Sequence, residues 1–162
     1  VESYAKGKRA VIIVDEAQNL ELDSLEKLRV ISNLNADNHR ILQIILSGQP
    51  EFREMLNRPE LRQLAQRITV DFHIGPLPQE EVGNYIHHRM RVAGCDREVF
   101  TNGAIEKIAA YTNGIPRLIN ILCNNALVFA YADKLDTIDQ DTLNSVISVT
   151  KDIGMLPFSR AK

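Results

Sequence analysis

The spacing of apolar residues changes several times along the chain, and each change marks a new element. Ala10 to Val14 reads A-V-I-I-V, an unbroken apolar, β-branched run that stops at Asp15-Glu16. Such a run suits a strand covered on both faces, as in parallel sheets beneath helices. Leu22, Leu25, Leu28, Ile31 and Leu34 then recur at every third position with charges between them. That spacing predicts a helix, with Asp23 or Ser24 as its cap. After the polar break Asn35 to His39, Ile41 to Leu46 is a second apolar run that ends in Ser47-Gly48-Gln49-Pro50, again strand and then turn. Short helical pieces follow over about residues 51–56 and 59–66. Pro59 suits a first helical turn, where a missing N–H costs nothing. Ile68, Val70, Phe72 and Ile74 alternate with Thr69, Asp71 and His73, and this period of two predicts a half-covered strand.

Gly75-Pro76-Leu77-Pro78 punctuates the chain, and everything beyond it reads as helix. The helices fall at about 79–93, 102–112, 116–132 and 139–151. Thr101 caps the second, Gly114 ends it, Pro116 opens the third and Asp139 caps the fourth. The fold class is therefore α/β: a partial parallel sheet over 1–77, an all-α region over 78–152 and a tail over 153–162.

Composition narrows the picture without redirecting it. The 162 residues fit one domain, or a small core with a lid. Apolar residues make up 44% and charged residues 25%, ordinary for a globular chain. No stretch approaches the roughly 18 apolar residues of a membrane span. A net charge of −2 gives no basic field for nucleic acid. Cys95 and Cys123 are far apart and form no metal spacing, which suits reduced cytosolic thiols. The chain opens on Val1 without a charged-then-apolar leader, which reads as the middle of a longer protein.

Four short motifs carry the chemistry. In V-I-I-V-D-E-A-Q-N, Val11 to Asn19, two adjacent carboxylates end a buried strand. Ligands of open α/β sheets bind at that edge, and unpaired acids near a core are costly. A Mg²⁺ ion held by Asp15 through water, and a water polarised by Glu16, account for the pair. The bland alternative is two solvated acids capping the next helix. In L-S-G-Q-P, Leu46 to Pro50, Ser47 and Gln49 can orient a water or touch a terminal phosphate, though the same residues are ordinary turn formers. Arg62 and Arg67 precede the alternating segment, where an arginine can reach a neighbouring subunit's nucleotide or simply lie on a solvated face. In G-I-P-R-L-I-N, Gly114 to Asn120, Arg117 sits in a first helical turn. A cation there opposes the helix dipole at a cost of ~0.3–1 kcal/mol, which a bound anion such as a nucleotide phosphate, or a nearby acid, would offset. His87, His88, Arg89 and Arg91 form a basic stretch that reads as a solvated face.

In this order the motifs resemble the later part of an AAA+ ATPase module, from the Walker B strand to the helical lid. The wording D-E-A-Q-N-L, S-G-Q-P-E-F, L-x-Q-R-I and G-I-P-R-L-I-N is most similar to the ExeA/GspA-type ATPases of the general secretion pathway, over about residues 8–150. The resemblance implies ATP and Mg²⁺ as cofactors, with Asp15 and Glu16 as the Walker B pair. It implies Ser47 to Gln49 as sensor 1, Arg117 as the lid arginine and Arg67, or else Arg62, as the arginine finger. It further implies an oligomeric engine, cytoplasmic or inner-membrane-associated, serving a secretion or cell-envelope assembly. A DNA-linked AAA+ protein of transposition or clamp-loader type would carry the same motifs, but the acidic balance gives it no support. A non-enzymatic adaptor using the helices after Pro78 is the third reading.

The chain departs from the family in one respect. No G-x-x-x-x-G-K-[ST] occurs, and the Gly7-Lys8 pair lacks the spacing. The family's phosphate loop lies upstream, on a strand between the sensor 1 strand and the last strand, so the runs at 41–46 and 68–74 are expected to show unpaired apolar edges. Without that loop's backbone donors and lysine the β-phosphate has no seat. Calorimetry of this polypeptide with Mg·ATP is expected to give little or no heat, and micromolar binding would refute the expectation.

Overall fold

The computed structural model describes residues 10–33, 35–36, 39–40 and 42–152. Both apolar runs form strands. In chain order the elements are β1 (Ala10–Val14), α1 (Leu22–Ile31), β2 (Asn35–Ala36), β3 (His39–Arg40), β4 (Leu42–Leu46), α2 (Pro50–Leu56) and α3 (Arg62–Ala65). Four longer helices follow: α4 (Gln79–Val92), α5 (Asn102–Thr112), α6 (Pro116–Ala132) and α7 (Gln140–Asp152). β1 and β4 pair in parallel, Ala10 opposite Leu42 and Val14 opposite Leu46. β2 and β3 make a two-residue antiparallel pair. The chain forms two compact units, the first ending at Phe72 and the second beginning at His73.

The first unit packs around Ala17, Leu25, Phe52, Leu61 and Leu64, with Val14 and Leu46 against them from the strands. This corrects the expectation of a strand covered on both faces. Ile12 and Val14 are half-buried, while Val11 and Ile13 are 50% and 69% exposed. Among the described residues only one face of the strand pair has a cover. The predicted cap of α1 also shifts. The helix starts at Leu22, so Asp23 lies inside its first turn, where it pairs with Lys27 at 2.6 Å. An acid in that turn still complements the helix dipole.

The alternating segment differs most. Residues 68–74 form no ladder with any described residue, and Val70, Phe72 and Ile74 are 82%, 82% and 85% exposed. Alternation marks the two faces of a strand, but a strand also needs a neighbour's backbone to bond, and none of the described strands supplies it. Asp71 is instead held by Arg53 at 2.6 Å, an exposed pair worth little stability.

The second unit is built as the pattern predicts. The apolar stripes of α4 to α7 meet around Val82, Ile108, Leu122 and Leu143, all essentially solvent-free. Thr101 caps α5 by accepting the Ala104 N–H at 3.3 Å, and Asp139 caps α7 by accepting the Thr142 N–H at 2.8 Å. These bonds hold the Asp139 carboxyl below its usual range. A short parallel contact joins the two cap regions: Ile138 N–H donates to the Val99 carbonyl at 2.7 Å, and Thr101 N–H to the Ile138 carbonyl at 3.0 Å.

α5 ends on two left-handed residues, Asn113 at φ 48° and Gly114 at φ 71°. The Gly114 carbonyl accepts the Leu77 N–H at 2.8 Å, and a Cβ on Gly114 would overlap the Leu77 carbonyl oxygen. Glycine is therefore required there twice, by conformation and by space. Gly114→Ala is expected to destabilise this unit by ~1–3 kcal/mol. Gly103→Ala, inside α5 with its nearest neighbour at 3.7 Å, is expected to be neutral or stabilising. Chemical denaturation of the pair reads the difference, and equal effects would remove the steric argument.

Burial pushes the Cys123 thiol up to about 12, with no charged partner to offset the desolvation. Thiolate, not thiol, is the nucleophile. Iodoacetamide at pH 8 is expected to modify Cys95 and leave Cys123 intact in the native protein, with both labelled after unfolding. Rapid native labelling of Cys123 would contradict this.

Candidate functional site

The parallel register of β1 on β4 brings their C-terminal ends to one edge of the sheet. Asp15 follows Val14 there, and Ser47 follows Leu46. Backbone bonds continue past the last strand residues: Ser47 N–H donates to the Val14 carbonyl at 2.8 Å, and Ala17 N–H to the Ser47 carbonyl at 2.9 Å. The D-E-A-Q-N and S-G-Q-P segments thus form one surface, with Ala17 buried beneath it.

The carboxylate turn is unusual in its backbone. Glu16 sits at φ 52°, ψ 41°, a left-handed conformation for a residue with a long side chain. Such a placement costs of order 1–2 kcal/mol, and strain of this kind concentrates at functional positions. It turns the chain sharply from β1 into a single 3-10 turn, Ala17–Asn19. Asn19 closes the turn twice, its N–H donating to the Glu16 carbonyl at 2.9 Å and its side-chain amide to Glu16 Oε2 at 3.1 Å. The Glu16 N–H donates to Asp15 Oδ1 at 2.9 Å. Both carboxylates are exposed, so neither is sequestered as a structural ion pair.

A second link reaches across to the other loop. Gln18 Oε1 accepts the Gln49 N–H at 3.1 Å. Gly48 passes so close that a Cβ would lie 3.0 Å from Gln18 Oε1 and 3.0 Å from Phe52 Cβ. Asp15, Glu16, Ser47 and Gln49 are therefore gathered at one strand edge. Gln18 and Asn19 belong to the same arrangement, although no motif or spacing assigns them a role. Their signal was only that they are carboxamides immediately after the acids.

The predicted arginines stand as follows. Arg62 begins α3 and Arg67 follows it; both are exposed. Arg117 lies in the second unit, in the first turn of α6 behind Pro116, as its motif predicts, and is exposed. Among the described residues none of the three has an ion pair, so for Arg117 the offsetting acid is not found. No group of three His, Cys, Asp or Glu able to hold a metal occurs among the described residues.

Comparison with known proteins agrees with the architecture. Residues 1–56 match the family model of the AAA domain, a segment that includes both site loops. The fold matches a RuvB variant from Thermotoga maritima with a TM-score of 0.70 at 17% identity, over 93% of this chain and 48% of that one. The Thermotoga maritima RuvB Holliday junction branch migration motor matches with a TM-score of 0.63 at 16% identity, over 93% of this chain and 48% of that one. The chain therefore carries AAA-domain sequence over residues 1–56, a domain that binds nucleotide in its family, and has a RuvB-like AAA+ fold.

In sequence the chain is a homologue of General secretion pathway protein A of Aeromonas hydrophila. It is 48% identical over 130 residues, which are 80% of this chain and 24% of that protein. It is also 27% identical over 152 residues to an uncharacterized HTH-type transcriptional regulator of Methanocaldococcus jannaschii, covering 90% of this chain and 36% of that protein. The chain thus spans a quarter to about a third of the curated relatives it matches. No described helix is long and apolar enough to cross a membrane.

Proposed function

We propose that the intact protein is an ATPase that couples ATP binding and hydrolysis to a secretion or cell-envelope assembly, and that this chain carries its hydrolytic carboxylates and its lid. The observation that supports this most is the pair Asp15 and Glu16 at the C-terminal edge of β1, with Glu16 in a left-handed turn and its carboxylate held by Asn19. Two adjacent exposed carboxylates form a hard oxygen donor set of the kind Mg²⁺ uses beside phosphate and water. Bound Mg·ATP supplies the phosphoanhydride whose cleavage drives the cycle.

In this reading Asp15 holds the metal through water. Glu16 orients the attacking water and draws off its proton. The Ser47 hydroxyl or the Gln49 side-chain amide contacts the terminal phosphate. Arg117, which has no ion pair among the described residues, supplies a cation from the lid, taken as residues 78–152 after a core of 1–77, with 153–162 a linker. Arg67, with Arg62 as the other candidate, completes the site of a neighbouring subunit in a homo-oligomer. The homology to General secretion pathway protein A supports a partner in a secretion or cell-envelope assembly. The proposed place is the cytoplasm, with inner-membrane association of the full-length protein as the alternative. This polypeptide alone, which lacks the glycine-rich lysine loop, binds nucleotide weakly.

Glu16→Gln in the full-length protein keeps the size and hydrogen-bonding capacity of the side chain but not its basicity. ATP binding is expected to persist while turnover falls by a factor on the order of 10² or more. Undiminished turnover would remove Glu16 from the mechanism.

A further inference from the structure

Gln18 joins the two loops of the site, and no role above uses it. Its Oε1 accepts the Gln49 N–H at 3.1 Å, a contact between residues 31 positions apart. The backbone bond from Ala17 N–H to the Ser47 carbonyl needs no particular side chain, whereas the link to Gln49 depends on a carboxamide at position 18. Gly48 leaves that carboxamide its space: a methyl there would sit 3.0 Å from it and 3.0 Å from Phe52 Cβ, so the carboxamide would have to move to make room.

From Gln18 the connection to Glu16 is short and stiff. Both belong to one tight turn, closed by Asn19 N–H on the Glu16 carbonyl at 2.9 Å and Leu20 N–H on the Ala17 carbonyl at 3.2 Å. The Asn19 side chain then fixes the Glu16 carboxylate at 3.1 Å. The Gln18 carboxamide therefore ties the Gln49 backbone to the turn that bears Glu16.

We infer that Gln18 is a positioning residue that sets the Glu16 carboxylate according to the place of the Gln49 backbone, so that the loop after β4 controls hydrolysis rather than binding. This rests on the reading of Glu16 as the group that activates water. A misplacement of a reacting group by about 1 Å costs on the order of 10²-fold in rate, whereas binding spread over many contacts is barely touched.

The test uses the full-length protein with Gln18→Met, which keeps length and loses the acceptor. Without nucleotide, exchange of the Gln49 amide proton is expected to quicken at least about tenfold, with the Ile44 and Ile45 amides unchanged. Binding of a fluorescent ATP analogue and KM are expected to stay within about threefold, while kcat falls about tenfold or more. Gly48→Ala crowds the same contact from the other side and is expected to reproduce the kcat loss with affinity kept. Unchanged Gln49 exchange, unchanged kcat in both variants, or a parallel loss of affinity and turnover would each overturn the inference. Should Glu16→Gln abolish turnover while Gln18→Met leaves it intact, this inference alone fails. Should Glu16→Gln turn over normally, the underlying reading of the site fails.

Discussion

The parallel register of β1 on β4 is the constraint on which the first unit and its site depend. An antiparallel pairing would send the two C-terminal ends to opposite edges of the sheet, and the acids would never meet the Ser47-Gly48-Gln49 loop. With Val14 opposite Leu46, the residues that follow emerge side by side, and the first backbone bonds beyond the strands already join the loops. The left-handed backbone at Glu16 completes the geometry, because a chain continuing straight from β1 would carry its second carboxylate past the loop. The strain there is met by the bonds of Asn19 and by the burial of Ala17 directly after it.

Much of this was readable before any coordinates. Unbroken apolar runs gave the strands, three-residue leucine spacing gave α1, and cap residues such as Thr101 and Asp139 gave helix starts that the hydrogen bonds bear out. Pro116 opened α6 at the residue expected, and Gly114 ended α5 for reasons of both conformation and contact. These signals are local, and local chemistry suffices to read them.

What was not readable is what depends on partners. The alternation of Ile68, Val70, Phe72 and Ile74 describes side-chain faces but says nothing of the backbone that must lie alongside. The run at Ala10 to Val14 likewise implied two covered faces where the described elements cover one. Gln18 and Asn19 are silent in the sequence for a different reason. A carboxamide has no charge and no period, so its use appears only when its bonding partner 31 positions away is brought near. The family itself was legible because its motifs are specific in combination, though each is weak alone. At 17% identity, RuvB shows a likeness of fold alone.

The two hydrophobic cores share no residue: one gathers around Leu25, Phe52 and Leu61, the other around Ile108, Leu122 and Leu143. Cooperativity arises within a continuous core, so each unit has the means to melt as a cooperative body of its own. Where a heating curve resolves two transitions, a single midpoint would average quantities that belong to different parts of the molecule. The small core beneath the acids, with five buried apolar members among the described residues against fifteen in the helical unit, is the one expected to loosen first. Loss of order around the acids on warming would then precede any large drop in helical content.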